Sequence, residues 1–195
     1  MKKLLSALLC MLLCLMLCSG AMAQTVSFGM KNYEEIRWVV LSSNNQYTKL
    51  MSEECIACRP YDKTSSDWAS SDLRKWLNTK YVYNTFSPDE LDALCPVDND
   101  LVRLPSVSDM LNTSYGFSSM KGAQDPRRAA QGNADAINGG LWTDYMGYCS
   151  YYTLTPCDAA SMYQVRNDGS IGIARVDRDN VGVRVVIVVR TSALY

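Results

Sequence analysis

Histidine is absent from all 195 residues of the chain. Its absence removes the commonest general base and the commonest metal ligand of proteins. A second long apolar run is also absent after the N-terminal one, so the sequence predicts no transmembrane segment in the mature chain. Basic residues are not in excess either, because 19 Lys and Arg stand against 20 Asp and Glu. Nucleic-acid-binding domains are usually basic, and we therefore expect no nucleic-acid partner.

What is present begins with the pattern of an export signal in residues 1–23. Two lysines are followed by an apolar run and then by a small-x-small sequence. We expect cleavage after Ala23, which leaves a single secreted or extracytoplasmic domain over residues 24–195 with a net charge of about −3, two lysines having been lost from a chain of net charge −1. Lipidation at Cys18 is the alternative, but a large leucine precedes that cysteine.

Five of the eight cysteines remain after cleavage, in a compartment where thiols oxidise. They are Cys55, Cys58, Cys95, Cys149 and Cys157. Because five is an odd number, at least one thiol stays unpaired or pairs between chains. A local disulfide between Cys149 and Cys157 is one expectation. A bridge from Cys55 or Cys58 to Cys95 is another.

Strand patterns occur at both ends of the domain. The predicted strands are residues 26–30, 35–41, 47–51, 162–165, 171–176 and 181–189. Asn167-Asp168-Gly169 separates two of them and is a strong hairpin signal. Residues 181–189 are almost continuously apolar and β-branched, which predicts one buried central strand.

Three short helices are predicted in the middle of the chain. Leu73, Trp76 and Leu77 share one helical face behind a capping serine. Residues 87–90 form a capping box with proline at the first helical position, and residues 106–111 begin with another capping serine. The order of elements is strands, helices, a loop and strands, which predicts an α+β fold with the N- and C-terminal strands in the same sheet.

A long polar segment lies between the helices and the last strands. Residues 112–140 are rich in Gly, Ser, Asn and Ala, and they predict a long surface loop. Loops of this length commonly lie on binding faces.

Several motifs resemble, in this order, a family of secreted bacterial domains of unknown function. They are Trp38-Val39-Val40-Leu41, Arg59-Pro60-Tyr61, Leu73-Arg74-Lys75-Trp76-Leu77-Asn78 and Gly182-Val183-Arg184. That family is similar to the C-type-lectin-like and formylglycine-generating-enzyme-like folds. The resemblance implies a C-type-lectin-like, loop-rich antiparallel sheet with two or three short helices. Two positions depart from the family pattern. Leu154 stands where the family has an arginine, and Val185 stands where the family has a proline.

An aromatic run is the best candidate for a ligand-binding site. Trp142, Tyr145, Tyr148 and Tyr151 stand among small polar residues, as in binding loops where rigid rings supply contact area at low entropic cost. Core packing is the alternative, because Tyr151 and Thr153 would share one strand face. The first three aromatics are therefore the better candidates for exposure.

Five residues are expected to be structural. They are Trp38, Leu73, Trp76, Leu77 and Arg184. An unpaired buried charge is very costly, so Arg184 needs either an ion pair or carbonyl partners.

We expect no metal or cofactor, and calcium is the alternative. Sugar-binding C-type lectins hold calcium through oxygen ligands, but their tripeptide motifs do not occur here. The aspartate clusters at residues 98–100 and 177–180 offer oxygens, although such clusters are more often solvated turns.

These observations favour a secreted, non-enzymatic recognition domain that binds a glycan or a cell-envelope protein through residues 112–152. An extracytoplasmic enzyme is the first alternative, either a hydrolase or a thiol oxidoreductase that uses Cys55 and Cys58, whose C-x-x-C spacing lowers a thiol pKa when it opens a helix. A structural accessory module of an envelope assembly is the second.

Overall fold

The computed structural model describes residues 24–194, so the predicted signal peptide lies outside the described residues. The described part is a mixed α+β domain, mostly antiparallel sheet with few short helices. None of the helices in this part is both long enough and apolar enough to cross a membrane.

The first sheet joins the two ends of the described chain. Its strands, in order across the sheet, are β1 (Thr25–Lys31), β2 (Glu34–Ser43), β3 (Tyr47–Ser52) and β11 (Val186–Arg190). All three neighbouring pairs are antiparallel. Asn44 fixes the β2–β3 turn, because its side-chain oxygen accepts hydrogen bonds from the N–H groups of Gln46 and Tyr47. The expectation that the terminal strands share a sheet is confirmed.

The second sheet carries most of the C-terminal half. Its strands, in order across the sheet, are β4 (Ala57–Cys58), β10 (Gly182–Val183), β7 (Tyr151–Asp158), β8 (Ser161–Val165) and β9 (Ile171–Arg175). Only the β10–β7 pair is parallel. Two further strands, β5 (Ala130–Gln131) and β6 (Tyr148–Cys149), form a small antiparallel ribbon.

The predicted hairpin at residues 167–169 is confirmed between β8 and β9. Arg166 and Ser170 close it, since the Arg166 N–H donates to the Ser170 carbonyl at 2.8 Å. Gly169 has φ +80°, and a Cβ there would collide with the backbone of Asp125. The hairpin tip is therefore packed directly against the segment that precedes β5.

The helices are short and begin at polar caps. They are α1 (Asp72–Trp76), a π-helical turn (Leu77–Tyr81), α2 (Val82–Thr85), α3 (Pro88–Ala93), α4 (Val107–Met110) and α5 (Ala134–Asn138). Three single turns of 3-10 helix are Trp68–Ser70, Thr113–Tyr115 and Thr191–Ala193. Ser71, Ser87 and Ser106 cap α1, α3 and α4 as the sequence predicts. Helix α5 lies within the segment predicted to be a long surface loop with at most local helix, and Asn133 caps it.

The predicted structural residues lie in or against the core. Trp38, Leu73 and Leu77 are almost completely buried. The Trp38 indole N–H donates to the Phe28 carbonyl at 2.7 Å, so the polar end of this large side chain is satisfied. Trp76 is only partly buried and packs at the edge of the same apolar cluster.

The prediction of one central strand over residues 181–189 is wrong. The segment splits into β10 and β11, which belong to different sheets, and Arg184 and Val185 connect them. An unbroken apolar pattern does not show where a chain leaves one sheet for another. The single arginine in the run marks that position.

Arg184 is 2% exposed and is surrounded by oxygen acceptors. Its Nε donates to the Ser52 carbonyl at 2.8 Å, and its Nη1 donates to the Arg128 carbonyl at 3.0 Å and to the Tyr151 hydroxyl at 3.2 Å. Within residues 24–194 it makes no ion pair, so of the two expected solutions the structure has the carbonyl partners.

Residues 112–140 carry more internal structure than the predicted surface loop. They contain β5 and α5, and Arg128 in this segment is fully buried. Its guanidinium donates to the backbone carbonyls of Met110, Ser118, Met120 and Ala123. The segment therefore folds around a polar centre. Its small and polar composition, which resembles that of a loop, does not reveal such a centre.

The Arg184 contacts predict a large effect of replacing this residue. Arg184→Met removes three buried hydrogen bonds and leaves the Ser52 carbonyl without its guanidinium donor, whereas the Arg128 carbonyl keeps the Tyr151 hydroxyl. We expect the free energy of unfolding to fall by about 2–4 kcal/mol in urea denaturation. Arg190→Met is the matched control, because Arg190 is half-exposed and pairs with Asp92 at the surface. Its expected cost is about 0–1 kcal/mol. Equal losses in the two variants would contradict this account.

Candidate functional site

The four candidate aromatics divide into exposed and buried side chains. Trp142 is 55% exposed and Tyr145 is 96% exposed. Tyr148 is half-buried on β6. Tyr151 is fully buried, and its hydroxyl donates to the Arg128 carbonyl at 2.6 Å. Tyr151 is therefore part of the core and has no surface to offer a ligand.

A turn built on Asp144 presents the most exposed of these rings. The Asp144 carboxylate accepts hydrogen bonds from the N–H groups of Met146 and Tyr148 and from the Asn167 side chain. Burial alone would raise the pKa of this carboxyl, but these hydrogen bonds hold the pKa below its ordinary value. The ionised carboxylate thus fixes the turn, and Tyr145 and Met146 at its tip point into solvent.

Trp142 lies at one wall of a groove of about 270 Å³. The other lining residues are Ser150, Gln164, Arg178, Asn180 and Val181. The backbone N–H of Trp142 donates to the Asn180 carbonyl at 3.4 Å, which connects the two walls. The volume is close to the lower end of the roughly 300–1,000 Å³ of small-molecule sites, so the groove suits one small ring.

Two polar side chains in this groove remain available. Arg178 and Asn180 are exposed, and in the described part of the chain neither side chain makes a hydrogen bond or an ion pair. They supply planar donors and, in the amide, an acceptor. The sequence does not indicate that they belong to a site with Trp142, because a link between residues 142 and 180 arises only from the tertiary fold. By sequence, residues 177–180 are candidates for calcium ligands alone.

A larger groove of about 500 Å³ lies between β1 and the α2–α3 region. Of its two lining carboxylates, Glu35 and Glu90, the second already accepts hydrogen bonds from the N–H groups of Gly29 and Ser87. A ligand there would have to compete with the cap of α3. The Trp142 groove is therefore the better candidate.

Carboxylates in both aspartate clusters are already engaged with protein donors. Asp100 accepts from the Trp68 indole and the Arg74 guanidinium, and Asp177 pairs with Arg175. Among residues 24–194, no group of three or more cysteine or acidic side chains is arranged to hold a metal ion.

The cysteines are brought together differently from the sequence-based expectation. All five are free thiols, and the Sγ atoms of Cys55 and Cys149 lie 3.3 Å apart in the buried core. Cys149 and Cys157 are not brought together, because β7 extends between them and its first six residues alone span about 20 Å. Cys95 is also not placed beside Cys55 or Cys58, and its thiol contacts the Ala93 carbonyl.

Cys58 lacks the activation that a redox thiol needs. It belongs to the short strand β4, where no helix N-terminus stabilises a thiolate. Burial, and then the negative charge of Asp179 and the neighbouring Cys149, raise the pKa of the Cys58 thiol to about 11. Burial and a hydrogen bond from Cys149 also raise the pKa of Cys55. The environment of the C-x-x-C pair is the reverse of that in thiol oxidoreductases.

The fold and the site together define an α+β domain with antiparallel sheets and an exposed aromatic groove. Comparison with known protein families, with curated proteins and with solved structures gave no match. The function is therefore argued from the groove and from the cysteine cluster.

The raised pKa predicts how Cys58 reacts with alkylating reagents. At pH 8 roughly one Cys58 thiol in a thousand is ionised, and the alkylation rate should increase about tenfold per pH unit between pH 7 and 9.5. Peptide mass spectrometry of a Cys95→Ser, Cys157→Ser variant measures this rate. In urea the alkylation rate of Cys58 should reach its plateau at a pH near the ordinary thiol pKa. A plateau below pH 8 in the folded protein would contradict the prediction.

Proposed function

We propose that this protein is a secreted, non-enzymatic recognition domain that binds a glycan in the groove beside Trp142. One observation carries the proposal: a half-exposed indole ring lines the same groove as Arg178 and Asn180, whose side chains have no hydrogen-bond or ion-pair partner among residues 24–194. A sugar ring has an apolar C–H face and a rim of hydroxyl groups. The indole can cover the first, and the planar polar groups can bind the second.

The size of the groove sets the expected affinity. One sugar ring has about 12 non-hydrogen atoms, and at about −0.3 kcal/mol per atom its binding free energy is about −4 kcal/mol, a Kd of about 1 mM. Tyr145 and Met146 on the neighbouring turn offer contact to a second sugar. We therefore expect an oligosaccharide, or a surface that displays many copies, to bind better than a monosaccharide.

A protein of the cell envelope is the second candidate ligand. Tyr145 is 96% exposed and Met146 is 54% exposed on a rigid turn. Aromatic residues and methionine are enriched in protein interfaces. Binding of such a protein would depend on the Asp144 turn more than on the Trp142 groove.

We also infer a C-type-lectin-like architecture, kinship with the secreted bacterial family and export with cleavage after Ala23. The terminal strands in one sheet and the loop-rich segment between the helices and the second sheet support the architecture. The raised thiol pKa values speak against the alternative of a thiol oxidoreductase.

The binding proposal is tested with the mature protein on an array of bacterial-envelope oligosaccharides, followed by titration with the best one. Trp142→Ala should weaken binding at least tenfold, because it removes the stacking surface, and Asn180→Ala should weaken it by a smaller factor. Tyr83→Ala is the control, because this equally exposed aromatic lies on α2 and outside the groove.

Two outcomes would count against glycan binding. One is no binding by the wild type to any sugar on the array. The other is unchanged affinity in Trp142→Ala. Capture of an envelope protein that Tyr145→Ala abolishes and Trp142→Ala does not would favour the second candidate.

A further inference from the structure

Two buried thiols from distant parts of the chain are in contact. Cys55 and Cys149 are separated by 94 positions, and the Cys149 S–H points at the Cys55 sulfur over 3.3 Å. Both side chains are 0% exposed. No other pair of cysteine side chains in residues 24–194 makes such a contact.

The backbone around strand β5 holds this geometry. On one side Cys149 pairs with Ala130 in the β5–β6 ribbon. On the other side the Cys55 N–H donates to the Gln131 carbonyl at 2.8 Å, and the Cys55 carbonyl accepts from the Asn133 N–H at 3.0 Å. The two cysteines are thus fixed by backbone hydrogen bonds on opposite sides of one short strand, and their contact does not depend on flexible loops.

Gly182 leaves room for the sulfur atoms. A Cβ at this position would lie 2.8 Å from the Cys55 sulfur and 3.1 Å from the Ser150 carbonyl oxygen. Gly182 has an ordinary backbone conformation, so its missing side chain is required by space and not by φ. Every larger residue would push Cys55 away from its present place.

We propose that Cys55 and Cys149 form an intramolecular disulfide when the protein meets an oxidising compartment. The oxidant is an external disulfide, either a small molecule or an oxidoreductase. One S–S bond forms between Cys55 and Cys149, and the S–S bond of the oxidant breaks. Two electrons and two protons pass to the oxidant, which leaves as two thiols. Closure brings the sulfur atoms about 1.3 Å closer, within the reach of small side-chain rotations.

The other cysteines are not placed to compete. Cys58 directs its thiol to the Asp179 carbonyl at 3.0 Å, and Cys95 directs its thiol to the Ala93 carbonyl. Cys157 lies at the far end of β7 from Cys149. These three remain free thiols in the oxidised protein.

The bridge pins residues 130–149 to the body of the domain. This segment contains β5, α5, Trp142 and the Asp144 turn, and the link from residue 55 to residue 149 restricts the unfolded chain strongly because the closed loop is long. Both sulfur atoms are inaccessible in the folded state. We therefore infer that oxidation precedes the final packing of β6 and that the folded bridge resists external reductants.

Variants that retain two cysteines test the pairing. Cys58→Ser, Cys95→Ser and Cys157→Ser together leave Cys55 and Cys149. Two comparators leave Cys58 with Cys149, or Cys149 with Cys157. Each variant is refolded with a mixture of reduced and oxidised glutathione and is then denatured without reductant and alkylated. The mass of the intact protein is measured by mass spectrometry. We expect the first variant to take up no alkylating group, and each comparator to take up two.

Thermal unfolding gives a second measurement. Reduction in denaturant followed by refolding without oxidant should lower the Tm of the first variant by about 5–15 °C and leave both comparators unchanged. The wild-type mature protein should expose three alkylatable cysteines after oxidation. Gly182→Ala, in the first variant, should reduce the oxidised fraction.

Three results would overturn the proposal. In the first, the variant that retains Cys55 and Cys149 folds, as judged by circular dichroism, but both of its cysteines are alkylated. In the second, a comparator forms its disulfide more completely than this variant. In the third, all five cysteines of the wild-type protein are alkylated, or peptide mapping shows a disulfide between another pair. No glycan is used, so the outcome is independent of the binding proposal.

Discussion

The buried guanidinium of Arg184 is the constraint on which the rest of the domain depends. It bonds to β3 through Ser52, to β7 through Tyr151 and to the 112–140 segment through the Arg128 carbonyl. The arginine guanidinium keeps its proton and therefore its charge in a protein. Its burial thus requires that β3, β7 and the 112–140 segment all be in place to supply acceptors. Arg128 is buried in a similar way, since its guanidinium donates to backbone carbonyls of α4 and of its own segment and lies 3.9 Å from the Asp125 carboxylate. Two buried cations thus join two sheets and a region poor in apolar residues.

Elements with local signals were predictable from the sequence, and elements set by distant contacts were not. The capping serines of α1, α3 and α4 and the turn at residues 167–169 depend on neighbouring residues, and all are found as expected. The division of residues 181–189 between two sheets and the contact of Cys55 with Cys149 are fixed by tertiary packing. No spacing along the chain encodes them.

Within the candidate site, too, some features could be predicted from neighbouring residues, and others depend on contacts between distant parts of the chain. Composition alone suggested a binding surface between residues 142 and 151, and Trp142 and Tyr145 do face solvent. Tyr151 does not, because β7 turns it toward Arg184. The polar wall of the groove, at Arg178 and Asn180, comes from a connection some 36 residues later in the chain. Aromatic content can point to a surface, but the fold supplies its hydrogen-bonding partners.

The shared sheet of the two chain ends has a consequence for the order of folding. Strand β3 needs β11 as its neighbour, and β11 begins at residue 186, far along the chain from the end of β3 at residue 52. Until then the first sheet has an open edge, and the Ser52 carbonyl at the end of β3 has no guanidinium to bind. Because these contacts join positions more than a hundred residues apart, the first sheet cannot be completed before β11 has been synthesised, and its folding is expected to be slow.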